Sequence, residues 1–220
     1  MAQQAVEDYL KTIYLLAQTE SPVTTSRLAT ARQLQPASVT NMVQRLAGLD
    51  LVCYQKHFGV TLTAAGEKIA LEMLRHHRLL ELYLTQELGF GWEEVHEEAE
   101  ALEHVISEKF EERIAAILGN PQFDPHGEPI PTKDGNILVV NDRPLTKTAV
   151  GEQVKIVRIG DDTNAELLGY LSELGLVLGC VLLITAVAPF EGPITVKMDK
   201  KERVVGHKVA EHIFVEGVDT

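Results

Sequence analysis

Through the first half of the chain, apolar residues recur every three or four positions, the spacing of helices with one buried face. This pattern predicts helices at residues 7–18, 24–31, 36–49, 64–84 and 92–118. Between the third and fourth of these, apolar and polar residues alternate in two short predicted strands, 51–55 and 59–63. Beyond residue 153 the alternating pattern dominates and predicts strands at 154–159, 181–187, 194–198 and 212–215, with one helix at 165–174. The expected fold is therefore mainly α, with a C-terminal all-β domain.

The second and third predicted helices are short and are joined by a tight turn, Arg32–Gln35. A Thr or Ser of the segment Thr24–Ser26 can cap the first of them, and Pro36 suits the first position of the second. The second helix buries an apolar stripe and exposes uncharged polar residues, as the base-reading helix of a helix-turn-helix does. With the strand pair as a wing, the pattern predicts a winged helix-turn-helix. Its candidate DNA-binding residues are Arg27, Pro36, Ala37, Ser38, Thr40, Asn41, Gln44, Arg45 and Lys56.

Charge is distributed unevenly along the chain. The formal net charge is −12, yet residues 1–75 carry 7 basic and 6 acidic residues, whereas residues 76–140 carry 4 and 14. The N-terminal third can therefore approach phosphate groups without general repulsion. Arg27, Arg32 and Lys56 are its candidate phosphate contacts.

The stretch His96–Val105 combines histidines and glutamates at helical spacing. In the predicted helix one face carries His96, Glu100, Glu103 and His104. Such a stripe suits a divalent metal, because neutral imidazole nitrogen and carboxylate oxygen are its usual ligands. A solvated acidic face with incidental histidines fits the same stretch. Both interpretations remain open at this point.

A second candidate pair of ligands lies on the preceding helix. His77 and Glu81 are separated by four residues, so they also share a face. A simple helical ion pair would have the same spacing. His76 points in another direction and is expected at the surface.

Prolines and glycines are concentrated between residues 120 and 145, which predicts a linker. The strands that follow it are short, as in a small SH3-like barrel. We therefore predict three domains: a DNA-binding domain at 1–72, a helical domain with the linker at 73–140, and the SH3-like domain at 148–220.

Neither a membrane span nor a secreted protein is expected. No apolar run approaches the roughly 20 residues that cross a bilayer, and the N-terminus lacks the basic and apolar segments of a secretory signal. Cys53 and Cys180 are too isolated for a disulfide framework or a Cys-based metal motif. These features indicate a cytoplasmic protein.

Several motifs, taken in order, resemble those of a known family. They are EDYLKTIY at 7–14, PASVTNMVQRL at 36–46, LTAAG at 62–66, HRLLE at 77–81, the stretch 96–104, and PHGEPIP at 125–131. Together they resemble the diphtheria-toxin-repressor and manganese-transport-regulator family of metal-responsive transcription factors. The resemblance covers nearly the whole chain, and its C-terminal part is similar to the family's SH3-like (FeoA-like) domain. It implies that the helical domain at 73–140 binds metal and forms the dimer.

The resemblance also implies two metal sites. The primary site would use Asp8, Glu100, Glu103 and His104. The second would use His77, Glu81 and His96 with a ligand from the C-terminal domain, for which the candidates are Asp161 and then Glu166. Lys11 stands where the short manganese regulators have a second carboxylate, which favours two separated sites over a paired two-metal centre.

The same residues bear on the choice of metal. Iron-sensing members carry Met and Cys at the positions of Asp8 and Glu100. The oxygen-rich set of this chain suits Mn(II), and Fe(II) is the alternative. The implied function is a homodimeric, metal-dependent regulator that binds a palindromic operator in double-stranded DNA and represses metal-uptake genes.

Two alternatives come from other functional classes. A helical-bundle metalloenzyme would use Glu93 and His96 as a Glu-x-x-His pair, but no second pair and no nucleophile–base arrangement accompanies it. A winged-helix regulator of another kind would sense an organic ligand and use the acidic helix only as structure. The expectation is therefore a regulator and not an enzyme.

Overall fold

The computed structural model describes residues 2–199 and 201–218, which form two compact units. The first consists of the chain up to His77 together with Glu103–Ile106 and Pro131–Ile137. The second consists of Arg78–Leu102, Ser107–Ile130 and the chain from Leu138 onward. The first unit thus contains the expected winged helix, and the second contains the expected barrel.

The helices of the described residues are α1 Ala2–Ala17, α2 Thr25–Ala31, α3 Pro36–Gly48, α4 Ala64–Leu88, α5 Val95–Leu102, α6 Glu108–Ile117, α7 Ala165–Leu174 and α8 His207–Ala210. The strands are β1 Val52–Gln55, β2 Gly59–Leu62, β3 Arg143–Pro144, β4 Gln153–Ile159, β5 Val181–Val187, β6 Ile194–Met198, β7 Lys201–Val205 and β8 Ile213–Gly217. A short 3-10 helix spans Leu145–Lys147. Among the described helices, none combines the length and the apolar composition that a membrane crossing requires.

The first unit contains a winged helix-turn-helix, as predicted. The hydroxyl of Thr24 accepts a hydrogen bond from the backbone N–H of Arg27 and caps α2. Pro36 occupies the first turn of α3, where its missing N–H costs nothing. β1 and β2 pair antiparallel with Val52 opposite Leu62 and form the wing. The buried stripe of α3 joins residues of α1, α2 and the wing in one hydrophobic core.

The single long helix predicted at 92–118 is wrong. The chain forms α5 and α6 instead, with a turn between them. Ser107 has an extended backbone (φ −90°, ψ 155°), and its hydroxyl accepts a hydrogen bond from the N–H of Phe110. Ser107 therefore caps a new helix and separates it from the first.

This break changes the placement of the candidate ligands. Glu103 and His104 lie in the turn that follows α5, not on a helix. His96 and Glu100 remain on α5. The prediction that all four side chains share one helical face is therefore wrong.

The second unit contains the predicted all-β domain. Its six-stranded sheet has the order β3-β8-β4-β5-β6-β7, and every neighbouring pair is antiparallel. Side chains of the sheet and of α7 form its core, in which Ile156 and Leu171 are completely buried. The sequence did not predict β3 or β7. Lys201 and Glu202 at the start of β7 are charged and exposed, so they interrupt the alternation that marks a strand.

Part of the predicted linker is packed against the barrel. Asp124 and His126 are buried, and the carbonyl oxygen of His126 accepts a hydrogen bond from the N–H of Ile159 on β4. At Gly127, where φ is +86°, a Cβ atom would lie 2.0 Å from the carbonyl oxygen of Val157. Only glycine permits this backbone conformation and this close approach.

Candidate metal centre and DNA-reading surface

Three potential metal ligands converge in the first unit. Asp8 lies on α1, and Glu103 and His104 lie in the turn after α5. Nε2 of His104 is 2.8 Å from Oδ1 of Asp8 and 3.5 Å from Oε1 of Glu103. One ligand atom from each residue lies within 4.8 Å of the other two. A single cation can therefore reach all three.

His104 is oriented through its other ring nitrogen. Nδ1 forms a 2.8 Å hydrogen bond with Oε2 of Glu7, the type of contact that fixes the ring of a metal-binding histidine. Nε2 is buried and, although Oδ1 of Asp8 is 2.8 Å away, the two atoms do not have the geometry of a hydrogen bond. Because burying a polar nitrogen without a hydrogen bond costs free energy, the position of Nε2 beside two carboxylates fits a bound divalent cation. One imidazole and two carboxylates are donors that Mn(II) and Fe(II) accept.

Glu103 is almost completely buried, with 1% of its surface exposed. Nζ of Lys11 lies 2.8 Å from Oε1 and 2.7 Å from Oε2, so its charge compensates that of Glu103. Nδ1 of His77 lies 2.5 Å from Oε2. Each carboxylate oxygen has two lone pairs, so Glu103 can keep Lys11 and still offer Oε1 on the side of His104.

The neighbouring His76 does not lie at the surface as expected. It is 6% exposed, and its Nδ1 is 3.1 Å from the backbone oxygen of Glu103. The surface prediction was wrong because the turn that carries Glu103 covers this side of α4.

The second oxygen of Asp8 has a different partner. Oδ2 lies 2.8 Å from Nη2 of Arg32, the residue that caps the C-terminal end of α2. Asp8 thus presents Oδ1 to His104 and Oδ2 to Arg32. Arg32 is a candidate phosphate contact by sequence, and here it forms an ion pair with a candidate metal ligand.

Residues of the predicted second site lie together in the second unit. Nδ1 of His96 on α5 is 3.2 Å from Oε1 of Glu81 on α4, and Nε2 of His96 is 4.0 Å from Oε1 of Glu100. His77, the third helical ligand predicted for that site, belongs to the first unit. The assignment of Glu100 to the primary site stays a prediction.

The structure also brings together three acids that the sequence did not group. Glu81, Asp124 of the proline-rich segment and Asp162 of the barrel each have a carboxylate oxygen within 4.8 Å of the others. Burial raises the pKa of Asp124 well above its ordinary value, and the negative charge of Glu81 raises that pKa further. The guanidinium of Arg78, with Nε 3.6 Å from Oδ2 of Asp124, opposes this shift.

The two barrel residues predicted as ligands have other surroundings. Asp161 accepts hydrogen bonds from the side chains of Thr163 and Asn164 in its own loop. Glu166 is exposed in the first turn of α7. The barrel carboxylate that lies beside Glu81 is Asp162.

The candidate base-reading residues lie on the outer face of α3. Those exposed are Pro36, Ala37, Ser38, Asn41, Gln44 and Arg45. Thr40 is half-buried and donates its hydroxyl hydrogen to the carbonyl oxygen of Pro36. Lys56 is exposed beyond β1, whereas Arg27 bonds to Glu20 and Thr19 at 2.8 and 2.6 Å. Their contacts with DNA stay predictions.

Three family models match consecutive parts of the chain. The N-terminal DNA-binding domain of iron-dependent repressors matches residues 1–60. The metal-binding and dimerisation domain of the same proteins matches residues 63–132, and the FeoA domain matches residues 143–217.

A solved structure described as a manganese-dependent transcriptional repressor complex with manganese is similar along the whole chain. It is 38% identical, with a TM-score of 0.88, and the match covers 97% of this chain and 100% of that one. The chain belongs to the diphtheria-toxin-repressor and manganese-transport-regulator family. It is a metal-dependent transcriptional repressor that binds DNA and dimerises as the family does.

Two characterised members show the range of this family. The iron-dependent repressor IdeR of Mycobacterium leprae is 41% identical over 129 residues, which are 57% of this chain and 54% of that protein. The HTH-type transcriptional regulator MntR of Lysinibacillus sphaericus is 35% identical over 118 residues, which are 54% of this chain and 84% of that protein. The chain thus spans about half the length of IdeR. The names of the relatives establish dependence on metal and divide between iron and manganese.

Membership of this family decides between a transcriptional regulator and an enzyme. The family consists of DNA-binding regulators, so the expectation that the chain is not an enzyme is confirmed. The helical-bundle metalloenzyme built on Glu93 and His96 is accordingly excluded.

The sequence did not identify three residues that lie at the two candidate metal sites. Glu7 lies next to Asp8, but its contact with His104 joins segments 97 residues apart and leaves no local signal. The pairing of Arg32 with Asp8 is equally non-local. Asp162 differs from Asp161 by one position, and only the conformation of the loop decides which of them faces Glu81.

Proposed function

We propose that this repressor responds to Mn(II), and that Asp8, Glu103 and His104 form the core of its regulatory site. The observation that carries the proposal is the buried Nε2 of His104, which makes no hydrogen bond and lies 2.8 and 3.5 Å from oxygens of Asp8 and Glu103. A set dominated by oxygen ligands favours Mn(II) over softer metals, and Fe(II) is the alternative that the test must separate.

When bound, the metal supplies positive charge that offsets the repulsion between Asp8 and Glu103. Glu7 holds the ring of His104 so that Nε2 faces these carboxylates. The three ligands connect α1, in the segment matched by the DNA-binding domain, with the turn at 103–105, in the segment matched by the dimerisation domain. A cation held there restrains the first helix of the DNA-binding domain.

We infer that this restraint selects one spacing of the two recognition helices in the homodimer. A dimer with two-fold symmetry matches a palindromic operator when that spacing equals the separation of the half-sites. The proposed targets are genes of metal uptake, whose repression at high Mn(II) would close a feedback loop.

The test is DNA binding by wild-type protein and by His104→Gln. A fluorescent duplex, selected from a random-sequence library with wild-type protein and Mn(II), serves as the probe for anisotropy. We expect wild-type affinity for the duplex to rise with Mn(II) and to fall with chelator. In His104→Gln, the Mn(II) affinity measured by calorimetry should fall by about tenfold or more, because a ligand is lost.

His207→Gln, in α8 of the barrel, is the matched control and should keep both affinities. If His104→Gln binds DNA with an unchanged response to Mn(II), the proposed site is wrong. A stronger response of the wild-type protein to Fe(II) under anaerobic conditions would reassign the metal and leave the site in place.

We further propose a second metal site at Glu81 and His96 that takes a carboxylate from the barrel. The sequence favours Asp161 and then Glu166 for this role, whereas the position of Asp162 beside Glu81 supports Asp162. Asp162→Asn should lower the amount of Mn(II) bound per chain, measured by elemental analysis after dialysis. Asp161→Asn is the matched control, and a loss of metal in that variant alone would return the role to Asp161.

A further inference from the structure

We propose that the ion pair between Arg32 and the metal ligand Asp8 connects the metal site to the helix-turn-helix. Through this pair, metal binding restrains the orientation of α3. The inference rests on the proposed metal site. It identifies Arg32 as the residue of the helix-turn-helix on which the bound metal acts through Asp8.

The carboxylate of Asp8 faces two partners. Oδ1 lies 2.8 Å from Nε2 of His104, the nitrogen assigned to the metal. Oδ2 lies 2.8 Å from Nη2 of Arg32. A carboxylate has about four lone-pair sites on its two oxygens, so Asp8 can hold a cation and a guanidinium at the same time. Any restraint on the carboxylate therefore acts on both partners.

Arg32 stands at the joint of the helix-turn-helix. Its backbone N–H donates to the carbonyl oxygen of Leu28 and closes the last turn of α2. Gln33, the next residue, has a φ of +52° and turns the chain, and α3 begins at Pro36. Because so few residues separate Arg32 from α3, holding its side chain also restrains the turn that orients the recognition helix.

The surroundings of this pair differ from those of a free surface ion pair. The side chains of Arg32 and Asp8 are 28% and 15% exposed. The guanidinium lies 5.6 Å from the centre of the Tyr9 ring, and Tyr9 is buried in the core of this unit. Nε of Arg32 is buried without a hydrogen bond. A partly buried pair is screened less by salt, which favours a fixed contact with Asp8 over a mobile contact with DNA phosphate.

The direction of the coupling follows from the charges. Without a cation, Asp8 lies near the carboxylates of Glu7 and Glu103 across the ring of His104, and repulsion broadens the orientations that Asp8 adopts. A cation bound to Oδ1 of Asp8 holds Oδ2 in one orientation towards Arg32. The turn between α2 and α3 then adopts fewer conformations. By reciprocity, DNA binding must raise the metal affinity by the same factor.

Arg32→Met tests this inference, because methionine keeps an apolar stem over Tyr9 and removes the charge. Affinity for the selected duplex is measured by anisotropy in chelator and in saturating Mn(II). We expect the affinity in chelator to stay within about twofold of wild type, while the gain produced by Mn(II) falls by about fivefold or more. Calorimetry without DNA should still detect Mn(II) binding, because Asp8, Glu103 and His104 are unchanged.

Arg27→Met is the matched control, since Arg27 lies on the same helix and pairs with Glu20. If Arg27 contacts a DNA phosphate, Arg27→Met should bind the duplex more weakly by the same factor with and without Mn(II). The slope of log affinity against log salt concentration should also fall by about one. Equal losses of this kind in Arg32→Met would overturn the inference. Arg32→Lys keeps the charge and should restore part of the response.

Two further outcomes separate this inference from the proposed function. If wild-type protein shows no response to Mn(II), the proposed function fails, and this inference fails with it. If wild-type protein responds and Arg32→Met keeps the full response, only the role of Arg32 is wrong. Circular dichroism checks the fold, and Arg32→Gln replaces the methionine variant if that variant is unfolded.

Discussion

Glu103 is the most deeply buried acid of the candidate metal centre, and Lys11 is its main source of compensating charge. Removing one partner of a buried ion pair leaves an uncompensated charge and typically costs about 3–5 kcal/mol. Loss of Lys11 alone should therefore destabilise the metal-free protein. Lys11 also places a permanent positive charge beside the proposed site, which opposes the approach of a second cation.

We expect Lys11→Met to lower the free energy of unfolding in chelator by about 3 kcal/mol, because Glu103 loses its counter-charge. Mn(II) should then stabilise Lys11→Met more than it stabilises wild type, since the cation restores part of the missing charge. Thermal unfolding with chelator and with Mn(II) measures both effects. Lys68→Met changes an exposed lysine near the start of α4 and should alter neither quantity. Equal stabilisation of Lys11→Met and wild type by Mn(II) would contradict this account of Lys11.

At the scale of elements, the break between α5 and α6 is the feature that places two candidate ligands. On a regular α-helix the side chains of Glu103 and His104 would diverge by about 100°. In the turn both lie beside Asp8. Ser107 fixes the point at which helical structure resumes, because its hydroxyl caps α6.

Ser107→Ala should therefore act on stability and on metal binding together. Loss of the cap is expected to cost about 1 kcal/mol of stability. It should also weaken Mn(II) binding, because α6 no longer has a fixed beginning next to the turn. Thr24→Ala removes the equivalent cap of α2 and should cost similar stability without weakening Mn(II) binding. Identical Mn(II) affinities of Ser107→Ala and wild type, from calorimetry, would show that the cap has no part in the site.

Element types were predictable where the periodic pattern was long and unbroken. The buried stripe of α3 and the alternation in β5 and β6 marked those elements close to their observed ends. The pattern failed at 92–118, because apolar residues continue at helical spacing across the turn. It failed at β7 because charged residues occupy an exposed edge strand.

At the scale of the whole molecule, the winged helix, the helical segment and the barrel were predictable from their different periodicities. The boundaries 1–72, 73–140 and 148–220 stay predictions. The assembly of the candidate site was not predictable from periodicity, because Asp8 and His104 are separated by 96 positions. Their common role came from a resemblance between motifs. Geometry then added Glu7 and Arg32, which no motif marks.

Gly127 is neither a candidate metal ligand nor a residue of α3, yet the protein should tolerate no substitution there. Every substitution there places a Cβ atom against the carbonyl oxygen of Val157 and strains a backbone with positive φ. In a screen for strains that express the repressed genes constitutively, changes at Gly127 should therefore appear beside changes at metal ligands. Extra metal in the growth medium could correct a weakened site, but it could not restore the lost packing at Gly127.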